Sequence, residues 1–139
     1  MGSEKQTWRN LKAALDSIQE PIHYQRIEDA VTAGVPDLYL CLNGVSYWFE
    51  LKQLDAFPAR ASTPVQLHYR WNQVLWGRHE LRAGGRYGLI TQIGREYFLH
   101  TGPNTIQLIA TGAATSIFRE TAEFSSNSAP GFIGHLLGR

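Results

Sequence analysis

Asp37, Glu50 and Lys52 are the residues of this chain whose types and spacing best fit shared chemistry. Asp37 lies six residues before Asn43-Gly44 and Glu50 lies six residues after it, within two apolar, aromatic-rich runs. Asn-Gly between such runs is a strong signal for a two-residue type I′ turn. A tight turn of this kind pairs the two runs residue by residue and brings Asp37 opposite Glu50.

Side chains alternate along this hairpin, so one face is apolar and the other carries the charged residues. The acids share their face with Lys52 and Trp48, whereas the other face is apolar: Leu38, Leu40, Leu42, Val45, Tyr47, Phe49 and Leu51. Facing side chains have Cβ atoms about 4.5–5.5 Å apart, and like charges there are destabilising. A divalent cation or the Lys52 ammonium has to compensate, and Mg²⁺ is usually held by one or two carboxylates with water and phosphate. The pattern therefore predicts a metal-dependent phosphodiesterase site.

The surrounding elements follow from hydrophobic periodicity and from turn and capping residues. Helices are predicted at 4–18, 66–82 and 103–109. Strands are predicted at 22–27, 37–42, 45–52, 87–93 and 96–100. The helix 66–82 carries one apolar stripe that includes Leu67, Trp71, Val74 and Leu75. This order of elements predicts an α/β or α+β fold with a mixed central sheet.

Composition places limits on the class of protein. A chain of 139 residues with 43% hydrophobic residues fits one globular domain, with a flexible segment expected near 120–131. The lone Cys41 excludes an intramolecular disulfide and fits a reducing compartment. No apolar run is long enough for a membrane span, and the polar start is unlike a signal peptide. Net charge is only +1, but every basic residue after Lys52 is an arginine, which is compatible with a DNA-binding surface.

The motifs around the hairpin resemble those of the PD-(D/E)xK nuclease superfamily, and look most like phage-borne VRR-NUC and Holliday-junction-resolvase-like groups. The elements that carry the resemblance, in order, are Arg26-Ile27-Glu28, Gly34-Val35-Pro36-Asp37, Trp48-Phe49-Glu50-Leu51-Lys52, Gln73-Val74-Leu75-Trp76 and Ala83-Gly84-Gly85. They cover roughly residues 24–100. The resemblance implies a restriction-endonuclease-like α/β fold, with a mixed sheet flanked by helices.

The resemblance also implies roles for individual residues. Asp37, Glu50 and the Leu51 carbonyl would hold Mg²⁺ or Mn²⁺, while Lys52 would position the attacking water or stabilise the pentacovalent phosphate. Two further residues, Glu28 and Gln73, would complete the site. Glu28 competes with Asp29 for the early acidic position, and Gln73 competes with Gln66, because two glutamines about 10.5 Å apart along a helix cannot both reach one metal.

The predicted DNA contacts are arginines: Arg26, Arg60, Arg70, Arg78 and Arg82. Arg26 has an alternative role as a partner of Glu28. Trp48 either stacks on a base or packs beneath the following helix, and Phe57 either wedges between opened bases or tucks against the protein.

The sequence thus predicts a Mg²⁺- or Mn²⁺-dependent DNA endonuclease. By resemblance, it would be a phage Holliday-junction or branched-DNA resolvase that acts as a homodimer in the cytoplasm of a bacterial host. A structure-nonspecific or nicking nuclease that cuts duplex DNA is an alternative within the class. A non-catalytic DNA-binding module of the same fold is the alternative from another class.

Overall fold

A six-stranded mixed sheet forms the centre of the protein in the computed structural model, which describes residues 2–28 and 34–138. The strands are β1 (Ile22–Arg26), β2 (Leu38–Leu42), β3 (Val45–Leu54), β4 (Tyr87–Ile93), β5 (Glu96–Thr101) and β6 (Phe124–Ser126). The helices are α1 (Glu4–Asp16), α2 (Trp71–Arg82), α3 (Pro103–Thr111), α4 (Thr115–Thr121) and α5 (Ala129–Leu136). The strands lie in chain order, and all neighbours are antiparallel except β3 and β4. The predicted α/β fold with a mixed sheet and flanking helices is confirmed.

The hairpin of β2 and β3 has the predicted register. Leu42 pairs with Val45, and the two residues between them have left-handed backbones, with φ of 53° at Asn43 and 76° at Gly44. A type I′ turn needs positive φ at both central positions, which asparagine tolerates and glycine adopts freely. The strands predicted at 87–93 and 96–100 also form a hairpin, since Ile93 pairs with Glu96 across Gly94-Arg95.

Each face of the sheet carries its own apolar core. One face packs against α1 and α5 through Leu11, Leu15, Leu40, Phe49, Phe132 and Ile133. The other packs against α2, α3 and α4 through Val65, Val74, Leu89, Phe98, Leu108 and Phe118. Neighbouring residues of β4 enter opposite cores, since Leu89 joins the second and Ile90 the first. The strands at the centre of the sheet are therefore covered on both sides.

The predicted start of the helix 66–82 was wrong, because α2 begins at Trp71. The preceding segment is anchored as extended chain, with the Val65 N–H donating to the Ala113 carbonyl at 2.6 Å and Leu67 buried in the second core. His68 has a φ of 56°, which no helix accommodates. Two residues of the predicted apolar stripe, Leu67 and Val74, are buried, whereas Trp71 is 59% exposed. The residues of α2 that are fully covered are Val74 and Gly77.

The end of the chain forms two regular elements, β6 and α5. Within the segment expected to be flexible, β6 pairs with β5 and the Ser128 side chain caps α5 by accepting the Gly131 N–H at 3.1 Å. Phe124 and Phe132 pack ring to ring with centroids 5.1 Å apart, which attaches both elements to the first core. None of the helices in the described part of the chain is long and apolar enough to cross a membrane.

Gly77 determines how closely α2 approaches the sheet. A Cβ atom at this position would lie 2.5 Å from Cε2 of Tyr87, inside any permitted contact. Glycine costs about 1 kcal/mol relative to alanine in a helix, so its presence here reflects packing and not helix preference. Only a residue without a side chain lets the Tyr87 ring lie beneath α2.

We predict that Gly77→Ala destabilises the protein by about 1–3 kcal/mol, because the loss from overpacking against Tyr87 exceeds the gain in helix propensity. Gly134→Ala in α5 is the matched control, because nothing lies within 4 Å of a Cβ atom there. The control should be neutral or slightly stabilising. Urea denaturation of both variants measures the difference, and equal stability changes would contradict the proposed packing constraint.

Candidate active site

The hairpin brings Asp37 and Glu50 together at the N-terminal end of β2. Leu38 pairs with Phe49, so the residue before Leu38 and the residue after Phe49 come next in register. The Asp37 carboxylate turns toward β3, where its Oδ2 accepts the Leu51 N–H at 2.9 Å. The two acids predicted from the sequence are thus neighbours in the fold.

Glu50 is completely buried, with 0% of its surface exposed. Its Oε2 accepts a hydrogen bond from the Tyr87 hydroxyl at 3.2 Å, whereas its Oε1 is buried with no hydrogen-bond partner among the described residues. Burial and then the negative charge of Asp37 raise the pKa of Glu50 to about 9, against the opposing effect of the Tyr87 hydrogen bond. In the metal-free protein at neutral pH, Glu50 is therefore protonated.

Arg26 partly neutralises the other acid. Its Nη1 donates to the Asp37 backbone carbonyl at 2.8 Å and lies 3.4 Å from the Asp37 Oδ1. The predicted alternative partner, Glu28, is exposed just beyond β1. Both Arg26 and Asp37 are partly accessible, with side-chain exposures of 21% and 28%. The guanidinium therefore lies beside the acid pair, and a phosphate bound at the acids would also contact it.

Tyr69 connects the segment before α2 to the end of the site on β3. Its hydroxyl donates to the Leu51 carbonyl at 3.1 Å, and the Lys52 Nζ lies 5.4 Å from the centre of its ring. Burial raises the pKa of Tyr69 well above its usual value, so the hydroxyl remains a donor. A carbonyl oxygen has two lone pairs, so the Leu51 oxygen keeps one acceptor position for a cation.

Glu4, in the first turn of α1, also belongs to this region, although the sequence predicted only that a helix begins there. Desolvation raises the pKa of Glu4 most strongly, and the charges of Lys52, Asp37 and Arg26 act on it as well. Glu4 is nevertheless exposed to solvent. The start of α1 is held over the strand ends because the buried Thr7 donates to the Gln92 side chain at 2.6 Å. No local sequence signal predicts that long-range contact.

The other residues predicted for the site or for DNA contact have differing positions and exposures. Gln73 accepts the Arg70 backbone N–H at 2.8 Å through its side chain, and so caps the start of α2. Gln66 precedes α2 and is exposed. Asp29 lies outside the described residues. The other predicted DNA contacts divide into exposed Arg60, Arg70 and Arg82 and half-buried Arg78.

Two aromatic residues with alternative predicted roles are packed inside the protein. Trp48 contacts Trp76 of α2 with ring centres 5.4 Å apart, in agreement with packing beneath the helix. Phe57 tucks against Phe98 and Phe118, and the Arg119 guanidinium lies 4.5 Å from the centre of its ring. Both rings therefore strengthen the scaffold around the site.

The donors at this site fit a hard divalent cation. Two facing carboxylates and the Leu51 carbonyl offer oxygen ligands only, and the partnerless Glu50 Oε1 is the kind of buried atom that a cation would satisfy. Among residues 2–28 and 34–138, no cluster of three or more His, Cys, Asp or Glu side chains could hold an ion. A cation here would accordingly keep water and substrate oxygens in its shell, as Mg²⁺ usually does.

No protein-family model matches the chain, and no curated protein matches it significantly. Among solved structures, the chain is similar to Hjc, a Holliday junction resolvase from Archaeoglobus fulgidus, with a TM-score of 0.45 and 13% sequence identity. The similarity covers 83% of this chain and 94% of that one. The proposed function therefore depends on the residues of the site and not on this likeness.

We predict that the metal-free protein loses stability as the pH rises from about 6.5 toward 9, since below that range the buried His100, whose pKa is lowered by desolvation, acts in the opposite direction. In this interval folded Glu50 holds a proton that the unfolded chain, with a pKa of 4.5, has released. The free energy of unfolding should fall by up to about 1.4 kcal/mol per pH unit from this group. Urea titrations in EDTA measure the slope.

Glu50→Gln should flatten this dependence, and Glu120→Gln, at an exposed acid of α4, should leave it unchanged. An identical pH dependence for wild type and Glu50→Gln would contradict the protonated, buried state of Glu50.

Proposed function

We propose that this protein is a divalent-metal-dependent endonuclease that hydrolyses phosphodiester bonds in DNA. The observation that carries the proposal is the buried, partnerless Oε1 of Glu50, next to a second carboxylate and one residue from the Leu51 carbonyl. Burying a carboxyl group without satisfying it is costly, and a scaffold with no use for the group would replace it with an apolar residue. A cation that displaced the Glu50 proton would bind the ionised carboxylate and offset the cost of its burial.

The neighbouring groups suit phosphodiester chemistry. When bound, a divalent cation polarises a phosphate and lowers the pKa of the water that attacks it. Lys52 supplies a positive charge at the same end of β3 and would offset the charge that develops on the phosphate oxygens. Tyr69 holds the Leu51 carbonyl, and Tyr87 holds one oxygen of Glu50, so the ligands are oriented before substrate arrives.

Arginines support DNA as the substrate class. Arg60 and Arg70 are exposed in the segment before α2, and Arg82 is exposed on α2 itself. This helix begins two residues after Tyr69, whose ring lies 5.4 Å from the Lys52 Nζ. Arg26 stands at the acid pair, where it would move from Asp37 to a phosphate oxygen once a cation neutralised the acid. Backbone contacts of this kind supply affinity for any DNA, and not sequence preference.

Branched DNA cut by a homodimer is the specific form that we propose, with Mg²⁺ or Mn²⁺ as the cation and a phage as the source. A structure-nonspecific or nicking nuclease is the second candidate within the class. A DNA-binding module without catalysis is the third, and the costly burial of Glu50 argues against it.

We predict that Asp37→Asn, Glu50→Gln and Lys52→Ala each reduce cleavage by about a hundredfold or more, because each removes a charge from the transition state. Cleavage should be assayed on duplex, single-stranded and four-way-junction DNA in Mg²⁺, Mn²⁺ and EDTA. Glu120→Gln is the control variant and should cleave like the wild type.

The same panel separates the candidates. Symmetric cutting of the junction alone supports the resolvase, cutting of all substrates supports the nonspecific nuclease, and binding without metal-dependent cutting supports the binding module. Near-wild-type turnover by Glu50→Gln in Mg²⁺ would disprove the proposed site.

Glu4 and Glu28 are two candidates for a further acidic residue of the site, and they are distinguishable. We expect Glu4→Gln to lower the cleavage rate by roughly tenfold, because Glu4 interacts electrostatically with Lys52 and Asp37. Glu28→Gln tests the position implied by the sequence motif. Ser3 continues to cap α1 in the Glu4 variant, so helix loss is not the cause of a lower rate. A wild-type rate for Glu4→Gln with a loss for Glu28→Gln would reverse the assignment.

A further inference from the structure

Trp71 is placed unusually for a tryptophan. It is the first residue of α2 and is 59% exposed, whereas the only other large exposed hydrophobic residue in the described part of the chain is Ile117, on α4. Tryptophan combines a large apolar ring with a polar N–H and is enriched where proteins contact partners. The packing of α2 on the sheet does not require this ring, because Val74 and Gly77 make the buried contact.

The surroundings of the ring are basic. The Arg78 guanidinium lies 5.5 Å from the centre of the Trp71 ring, which holds the indole from one side. Arg82 continues the same stripe of the helix, one turn farther on, and Arg70 precedes Trp71 in the chain. The stripe formed by positions 71, 75, 78 and 82 carries no acidic residue. The surface therefore combines an aromatic face with charges that attract phosphate.

The ring also lies close to the candidate active site along the chain. Tyr69, two residues earlier, contacts both the Leu51 carbonyl and the Lys52 ammonium. The Cα atoms of Tyr69 and Trp71 lie at most about 7 Å apart. A DNA strand with a phosphate at Lys52 would therefore pass the start of α2, where Trp71 lies.

We propose that Trp71 is a stacking platform for an unpaired base of the DNA strand near the scissile phosphate. The proposal rests on the proposed function, because it describes the substrate of that site. Bases within a duplex are already stacked on both faces and cannot cover the indole, whereas an unpaired base can. Trp71 therefore selects DNA that is unpaired beside the cut, and the arginines of its stripe hold the phosphates.

The test compares binding of a duplex with binding of the same duplex carrying a short bulge, with Ca²⁺ in place of Mg²⁺ so that affinity is read without cleavage. Trp71→Ala should weaken binding to the bulged DNA about tenfold and binding to the duplex by less than about twofold. Trp71→Phe should restore most of the affinity. Ile117→Ala, at the other exposed hydrophobic residue, should change neither. With 2-aminopurine at the bulge, the wild type should quench its fluorescence and Trp71→Ala should not.

Equal losses on both DNAs, or no loss on either, would overturn the platform. A change in sedimentation of Trp71→Ala without DNA would overturn it in favour of a contact between two copies of the chain. Failure of the nuclease proposal is distinguishable, because it appears as an absence of cleavage by the wild type in Mg²⁺ or Mn²⁺. Selective loss of bulge binding in Trp71→Ala would then still support the platform.

Discussion

The burial of a carboxyl group beside another carboxylate is the constraint on which the site depends. Glu50 is inaccessible to solvent and stands next to Asp37, so its ionised form is opposed by both desolvation and repulsion. A folded chain tolerates such a group when a proton or a cation neutralises it. Because a proton leaves one buried oxygen without a partner, the arrangement is better matched to a cation.

The groups around Glu50 make that burial possible. Tyr87 reaches Glu50 from the neighbouring strand, and Gly77 gives the Tyr87 ring the space to lie beneath α2. Trp76 packs against both Tyr87 and Trp48, so the same helix covers the two neighbouring strands just before the acid. The position of α2 is thereby linked to the geometry of the acid, although none of its own residues bonds to Glu50.

The sequence predicted those parts of the site that depend on local geometry. The turn at Asn43-Gly44 determines the hairpin register, and the register makes Asp37 and Glu50 neighbours, so alternation along two strands was sufficient. Glu4 was missed because its position depends on how α1 docks across the sheet, which no short-range pattern encodes. The predicted start of α2 was wrong because the burial of Leu67 in extended chain outweighed helical periodicity.

The single parallel pair of strands has a consequence for folding. β2 and β3 pair through a two-residue turn, and β1 pairs with β2 across residues 27–37, whereas β3 meets β4 only after the longer chain between Leu54 and Tyr87 has closed. Closing a long connection costs entropy before its contacts form, so this pairing is expected to be late. In a nascent chain both acids are therefore exposed to water and ionised, and they repel each other. Glu50 becomes buried only when β4 pairs and Tyr87 contacts it. Ribosome-bound or truncated chains that end before β4 would hold a cation no better than an ordinary pair of surface carboxylates.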